Sequence, residues 1–360
     1  MDDYQHLLYL AKCYLQESIS PHAAAIDSDS DALKKALIGL GELGLLALRV
    51  PSRWGSSEVN ETFYTFQELM ARYSGALAFL QTQHQSAAAM LVQSQNEPLK
   101  QEYLPHLSNG LLVGVGFSHL RRVGEPSIVA VPVTGGYQLE GHVPWITGFG
   151  LFQEFIVAAA LPDGQAVFGI VPFVETHQDA LGAITFSQPM ALAAMTSTNT
   201  VTASLTRWFL PQERVVSVKP NGWIQENDKK NVLKPTGLAL GCALAGLDIL
   251  EAAHSTKQLL FIGQAKEILD RELAACRAAI RHAQHQCMSL DEQLQLRALA
   301  IDLAVRCAHA AVTVSSGAAN KKHHAAQRIY REALVFTVSG QTTALMEATL
   351  AKLVRSGSYF

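Results

Sequence analysis

Charge is sparse in this chain of 360 residues. Asp, Glu, Lys and Arg make up 16% of it, and 31 acidic against 28 basic side chains leave a net charge of −3. With so little excess of either sign, no strong field forms over the whole molecule, and neither nucleic acid nor a membrane is an expected partner. Cysteine is scarce as well. Cys13, Cys242, Cys276, Cys287 and Cys307 are odd in number, scattered and free of any CxxC spacing. That argues against a disulfide framework or a zinc site, and for reduced thiols in a cytoplasm. The first residues, MDDYQHLLYLAK, lack the basic start and small-residue cleavage site of a secretory leader. The longest nearly uncharged apolar run, Gly237 to Leu250, is broken by Asp248 and falls short of a bilayer span. A cytoplasmic protein is expected.

Apolar residues, by contrast, are plentiful at 49%, enough to bury a large core in two or three subdomains. The texture divides the chain at about residues 111 and 228. Over 1–111 the pattern is helical: Leu7, Leu8, Leu10, Ala11 and Leu15 recur at helical spacing behind Asp2 and Asp3, and a second helix carrying Leu33, Ala36, Leu37 and Leu40 follows the cap-rich run Asp27 to Asp31. Over 112–228, β-branched and aromatic runs (Ser127–Val133, Tyr137–Leu139, Phe155–Ala160, Ala166–Val171) alternate with turns, Gly135-Gly136 reading as a hairpin. Over 229–360 helical spacing returns, with Leu238, Cys242, Ala245 and Ile249 on one stripe. The expected class is α+β, with a β-domain between two helical ones.

Several segments, taken in order, carry a resemblance. They are Gly44 to Gly55 (GLLALRVPSRWG), Lys100 to Pro105 followed by Asn109-Gly110, Val143-Pro144-Trp145-Ile146-Thr147-Gly148, and the arm from Ala311 to Thr342 with Arg331-Glu332-Ala333 inside it. Together they resemble the acyl-CoA dehydrogenase superfamily of flavoproteins over almost the whole chain. Phe209–Val216 is similar to the last β-strand of that family. The resemblance implies an N-terminal helical domain, a central β-barrel-like domain and a C-terminal four-helix bundle, an FAD cofactor (FMN or none being the alternatives), an acyl thioester or related small substrate, and a homodimer or homotetramer.

The resemblance also implies site residues. Trp145, Ile146 and Thr147 match the segment that lies along the flavin ring, with the Thr at its N5 edge. Thr342 matches a second flavin-contacting threonine. The first flavin loop is altered to Ser118-His119-Leu120-Arg121-Arg122, from which Ser118 and His119 are expected to reach the ring and Arg121 or Arg122 the pyrophosphate. Ser316-Gly317-Ala318-Ala319 replaces a glycine-rich approach to the cofactor's ADP half. Lys257 stands where an arginine grips the phosphates, keeping the charge but not the planar fork. A blander reading stays open for each: Trp145 as a core residue, Thr342 as a cap, the basic residues as a solvated turn.

One catalytic part is missing. The arm reads Ser339-Gly340-Gln341-Thr342, so Gly340 occupies the position of the family's usual base, a glutamate. The alternative base position falls in Lys229 to Lys234, which contains no carboxylate. His119, Glu251 and His254 are the replacement candidates, and a glutamate placed at 340 is expected to restore dehydrogenase activity on a thioester. Lys321-Lys322-His323-His324 reads as a basic patch. His282 and His285, near Cys287, read as a polar helix face rather than a metal site. Three functions remain open: an FAD-dependent acyl-CoA dehydrogenase-like oxidoreductase, a reduced-flavin monooxygenase of the same fold, and a non-catalytic binding descendant.

Overall fold

The computed structural model describes residues 3–50, 58–108, 110–178, 182–286 and 288–355. The second half of the Gly44–Gly55 segment, Asp2, Asn109 and Cys287 lie outside them. The first domain is helical: α1 (Asp3–Tyr14), α2 (Ala23–Ser28), α3 (Ser30–Glu42), α4 (Glu58–Tyr73), α5 (Gly75–Val92) and α6 (Glu97–Tyr103). Asp29 caps α3, its carboxylate accepting from Asp31 N at 2.9 Å, and the predicted stripe Leu33, Ala36, Leu37 and Leu40 is fully buried. Helix α5 is buried on nearly every side, polar residues included. Gln81 Nε2 donates to Leu45 O at 3.2 Å, and Val113 N donates to His84 Nδ1 at 3.1 Å. Those polar atoms tie the helix to the 44–50 turn and to the first strand.

The strands are β1 (Val113–Gly116), β2 (Ile128–Val133), β3 (Gly136–Ile146), β4 (Glu154–Ala160), β5 (Ala166–Pro172), β6 (Thr176–Gln178), β7 (Gly182–Phe186), β8 (Val201–Pro211) and β9 (Val215–Lys219). They form one mixed sheet in the order β6-β7-β8-β3-β2-β4-β5-β9, with β1 parallel to β4. The end strands β6 and β9 do not pair with each other, so the barrel-like expectation is corrected to an open sheet. Its faces are covered instead: α5 packs on β1, and the rings of Phe117, Phe168 and Trp223 meet edge to face. Phe209–Val216 is not one strand either. Residues Gln212–Arg214 make a 3-10 turn between β8 and β9.

The last helices are α7 (Trp223–Lys230), α8 (Thr236–Lys257), α9 (Leu260–His285), α10 (Leu290–Ser315), α11 (Ala325–Val338) and α12 (Thr343–Arg355). The expected boundary at 228 falls inside α7, whose Trp223 ring packs on Phe168 of the β-domain. The run Gly237–Leu250 lies within the 22-residue α8, which is long and apolar enough to cross a membrane. Its apolar character has a different source, because α4, α9, α10 and α11 all pack around it. Gly241 permits the α4 contact: a Cβ there would lie 2.2 Å from Glu68 O. A partly buried polar cluster ties the three domains together. Arg331 pairs with Asp27 at 2.9 Å and donates to Ala193 O at 2.7 Å, and Asp27 Oδ1 accepts from Met195 N at 2.7 Å.

Candidate functional site

Where the three domains meet they leave a cleft of about 460 Å³. Helices α4 and α5 supply one wall, with Phe63, Phe79 and Gln83 among the lining side chains. The β-domain supplies Ser118, Arg121, Trp145 and Thr147, and the last domain supplies Lys234, Leu238 and Gly340. Three of the sequence-derived cofactor residues, Ser118, Trp145 and Thr147, thus face the same space as Gly340.

Local backbone explains that convergence. Pairing of β3 with β8 slips between Val143 and Ile146, which leaves Trp145 44% exposed while Val143 and Ile146 are fully buried. The core tryptophan of the sheet is Trp208. Ile146 is therefore corrected: its side chain packs under Gly116 and has no free face for a ligand. Thr147 Oγ1 lies 3.0 Å from Thr200 Oγ1, which fixes its direction. Residues Ser118–Arg121 form one 3-10 turn, in which side chains three apart share a face. Ser118 and Arg121 accordingly both reach the cleft, and His119 points the other way.

His119 is corrected on that account. It is buried against the sheet with Nε2 3.0 Å from Ala158 O, and it lines a separate cavity of about 350 Å³. Burial pushes its imidazole down to about 4, so it is neutral at physiological pH, but it does not touch the cleft. Glu251 and His254 are also removed as bases. Leu238 brings the start of α8 to the cleft, and these two lie 13 and 16 residues further along, roughly 20–24 Å at 1.5 Å per residue. There Glu251 pairs with Lys266 at 3.1 Å and His254 Nδ1 lies 3.2 Å from Leu259 O. Lys257 donates to Val314 O, and Gly317 sits in an exposed 3-10 turn with open space around it; neither reaches the cleft.

Thr342 caps α12, its Oγ1 accepting from Leu345 N at 3.2 Å. It also lines a second cavity of about 480 Å³ that shares Arg121 with the cleft. The two spaces lie on either side of the Gly340–Gln341 peptide. Gln341 Oε1 is buried without a hydrogen-bond partner among the described residues. His324 caps α11, accepting from Ala326 N, while Lys321 and Lys322 are exposed. No group of three His, Cys, Asp or Glu comes together among the described residues.

Gly340 itself is held firmly. Its φ of +61° lies in the left-handed region, and Arg297 binds the turn from below. Nη2 donates to Ser339 O at 2.7 Å and to Gly340 O at 3.1 Å, and Nη1 donates to Val232 O at 3.1 Å. Burial pushes Arg297 down to about 10. Sequence reasoning missed this residue, although a lone arginine in the apolar run LQLRALAIDLAV was a visible signal. Among the described residues lining the cleft there is no carboxylate, imidazole or thiol. Its ionisable groups are all cations: Arg49, Arg121 and Lys234.

Comparisons with known proteins agree with this architecture. Residues 1–111 match the family model described as "Acyl-CoA dehydrogenase, N-terminal domain". The chain is 22% identical to the probable acyl-CoA dehydrogenase YngJ of Bacillus subtilis over 95% of both proteins. It is 25% identical to mitochondrial isovaleryl-CoA dehydrogenase of Oryza sativa over 58% of this chain, a match that spans 53% of that relative. Butyryl-CoA dehydrogenase of Megasphaera elsdenii superposes with a TM-score of 0.80 at 18% identity, covering 99% of each chain. The first 111 residues thus match the acyl-CoA dehydrogenase N-terminal family model, and the whole chain has the acyl-CoA dehydrogenase fold. A glutaryl-coenzyme A dehydrogenase in complex with glutaryl-CoA has the same fold, with a TM-score of 0.80, 17% identity and 98% of this chain covered. Within this superfamily fold, the central sheet here is open and the cleft lies at the three-domain junction.

Proposed function

We propose that this protein is a member of the acyl-CoA dehydrogenase superfamily and an FAD-dependent oxidoreductase acting on an acyl thioester, with its proton chemistry altered at residue 340. One observation carries the reading: an exposed Trp145 and an oriented Thr147 face Gly340 across a cleft of about 460 Å³. An uncovered indole on a cleft wall suits a flat, polarisable ring, and Thr147 offers a positioned hydroxyl at its edge. The neighbouring cavity suits the rest of the cofactor, since Gln341 Oε1 is an unpaired buried acceptor and Arg121 stands between the two spaces. Bound there, a flavin would supply the two-electron acceptor. The chain's own part is to orient the acyl group between α5 and the β-domain, and to shed water onto Phe63, Phe79 and Leu238.

No described side chain in the cleft is suited to take an α-proton from a neutral acyl group as a carboxylate would. Loss of a positioned base lowers such a step by roughly 10²–10⁴-fold. That same absence supports a second reading, a reduced-flavin monooxygenase, whose chemistry does not begin with α-proton removal. Exposed Phe261, Leu334 and Leu353 on the last domain support a homodimer or homotetramer, and the free cysteines suit a reducing cytoplasm. Anaerobic titration with acyl-CoA separates the readings. Bleaching of the flavin band supports the dehydrogenase, and turnover that requires both a flavin reductase and O₂ supports the monooxygenase. A protein that cannot be loaded with FAD or FMN would leave only the non-catalytic descendant.

A further inference from the structure

Two of the three cations in the cleft have no counter-charge among the described residues. Arg121 is neutralised by Asp228, with Nε and Nη2 donating to the two carboxylate oxygens at 2.7 and 2.8 Å. Arg49 and Lys234 come from different domains, one at the end of the 44–50 turn and the other just before α8. Neither the Arg49 guanidinium nor Lys234 Nζ has a hydrogen-bond acceptor or ion-pair partner among the described residues. The Arg49 guanidinium lies over the ring of Phe63, 5.4 Å from its centroid. The two are near enough that the charge of Arg49, after burial, helps to push Lys234 down to about 8. Burial also lowers Arg49, with Tyr64 acting in the opposite direction.

Two like charges side by side in a half-buried cleft repel each other and lose hydration, so the arrangement favours an anion that meets both. Resting on the thioester reading above, we propose that Arg49 and Lys234 form an anion-binding element, and that the preferred acyl thioester carries a carboxylate on its acyl group. The planar fork of Arg49 matches a carboxylate's two oxygens, and Lys234 adds a point charge from a different domain. Phe63, Phe79 and Leu238 around the pair form an apolar chamber suited to an acyl chain. Phosphate is the competing anion of the same chemistry, whether from the flavin or from coenzyme A.

The test uses the flavin-loaded protein and thioesters of N-acetylcysteamine, which contain no phosphate. Calorimetric affinities are compared for succinyl and glutaryl thioesters against butyryl and pentanoyl ones, in the parent protein and in Arg49→Gln/Lys234→Met. The acidic thioesters are expected to bind at least tenfold tighter, and the double variant is expected to lose that preference while holding flavin as before. Equal affinities for acidic and neutral thioesters, failure to bind any of them, or a preference that survives the double substitution would overturn the proposal. So would a double variant that releases FAD, or an acidic-thioester site displaced by inorganic phosphate at constant ionic strength, because either result assigns the pair to phosphate. Flavin content is read separately, so loss of the wider functional reading is distinguishable from loss of this one.

Discussion

Gly340 and Lys234 face the same cleft, and each gives an expectation at the scale of a single residue. A side chain at 340 must adopt a φ of +61°, and its Cβ would lie 3.2 Å from Arg297 Nη2. A glutamate there meets a buried guanidinium before it meets a substrate. Gly340→Glu is therefore expected to destabilise the fold by about 1–2 kcal/mol and to leave dehydrogenase activity unrestored. A measured gain of acyl-CoA-dependent flavin reduction in that variant contradicts the geometry. Lys234 is pushed from its usual 10.5 down to about 8 by burial and by Arg49. In its charged form it opposes folding, so stability is lower below pH 8 and rises as pH increases toward 10.5. Thermal melts of Lys234→Met should lack that rise and show a gain below pH 8 on the order of 1 kcal/mol once solvent screening is allowed for. A lower melting temperature at pH 7 argues against a strained charge.

At the scale of elements, the contact between α4 and α8 is the most demanding. A Cβ on Gly241 would approach Glu68 O to 2.2 Å and Arg72 N to 3.0 Å, both backbone atoms that cannot turn away. Gly241→Ala should destabilise by about 1–3 kcal/mol, read as a lower denaturant midpoint. Unchanged stability shows that the helices can part freely. The elements also show what the sequence made legible. The stripe of α3 and its cap, the strands β2, β4 and β5, and the arm of α10 and α11 were readable, the helices and β2 from a regular buried face and β4 and β5 as short apolar runs buried on both faces. Period is silent on contacts between elements. It did not reveal that β3 slips at Trp145, that a 3-10 turn sends His119 away from Ser118, or that α7 packs on the sheet. The cations Arg49 and Lys234 were unremarked because nothing local distinguishes a lysine before Pro235 from a solvated one, and only the fold brings it to Arg49.

For the whole molecule, two buried histidines, His84 at the junction of the first two domains and His119 within the β-domain, make the fold sensitive to acid. His84 is fully buried between Leu107 O and the N–H of Val113, and His119 is buried on the sheet; burial holds both at about 4. Each is neutral in the fold and protonates near 6.5 when the chain unfolds. Their contribution is present above pH 6.5 and is lost as pH falls toward 4, up to about 3 kcal/mol for each. Melting temperature should drop across that window, and His84→Gln should flatten part of the drop; a profile unchanged by the substitution refutes the assignment. The central claim concerns the cleft where the three domains meet, and the visible absorption spectrum of the purified protein after incubation with FAD and removal of free flavin tests it most directly. The account predicts retained flavin bands near stoichiometric occupancy, with Trp145→Ala weakening retention at least tenfold. A colourless protein, or full retention in the tryptophan variant, contradicts it.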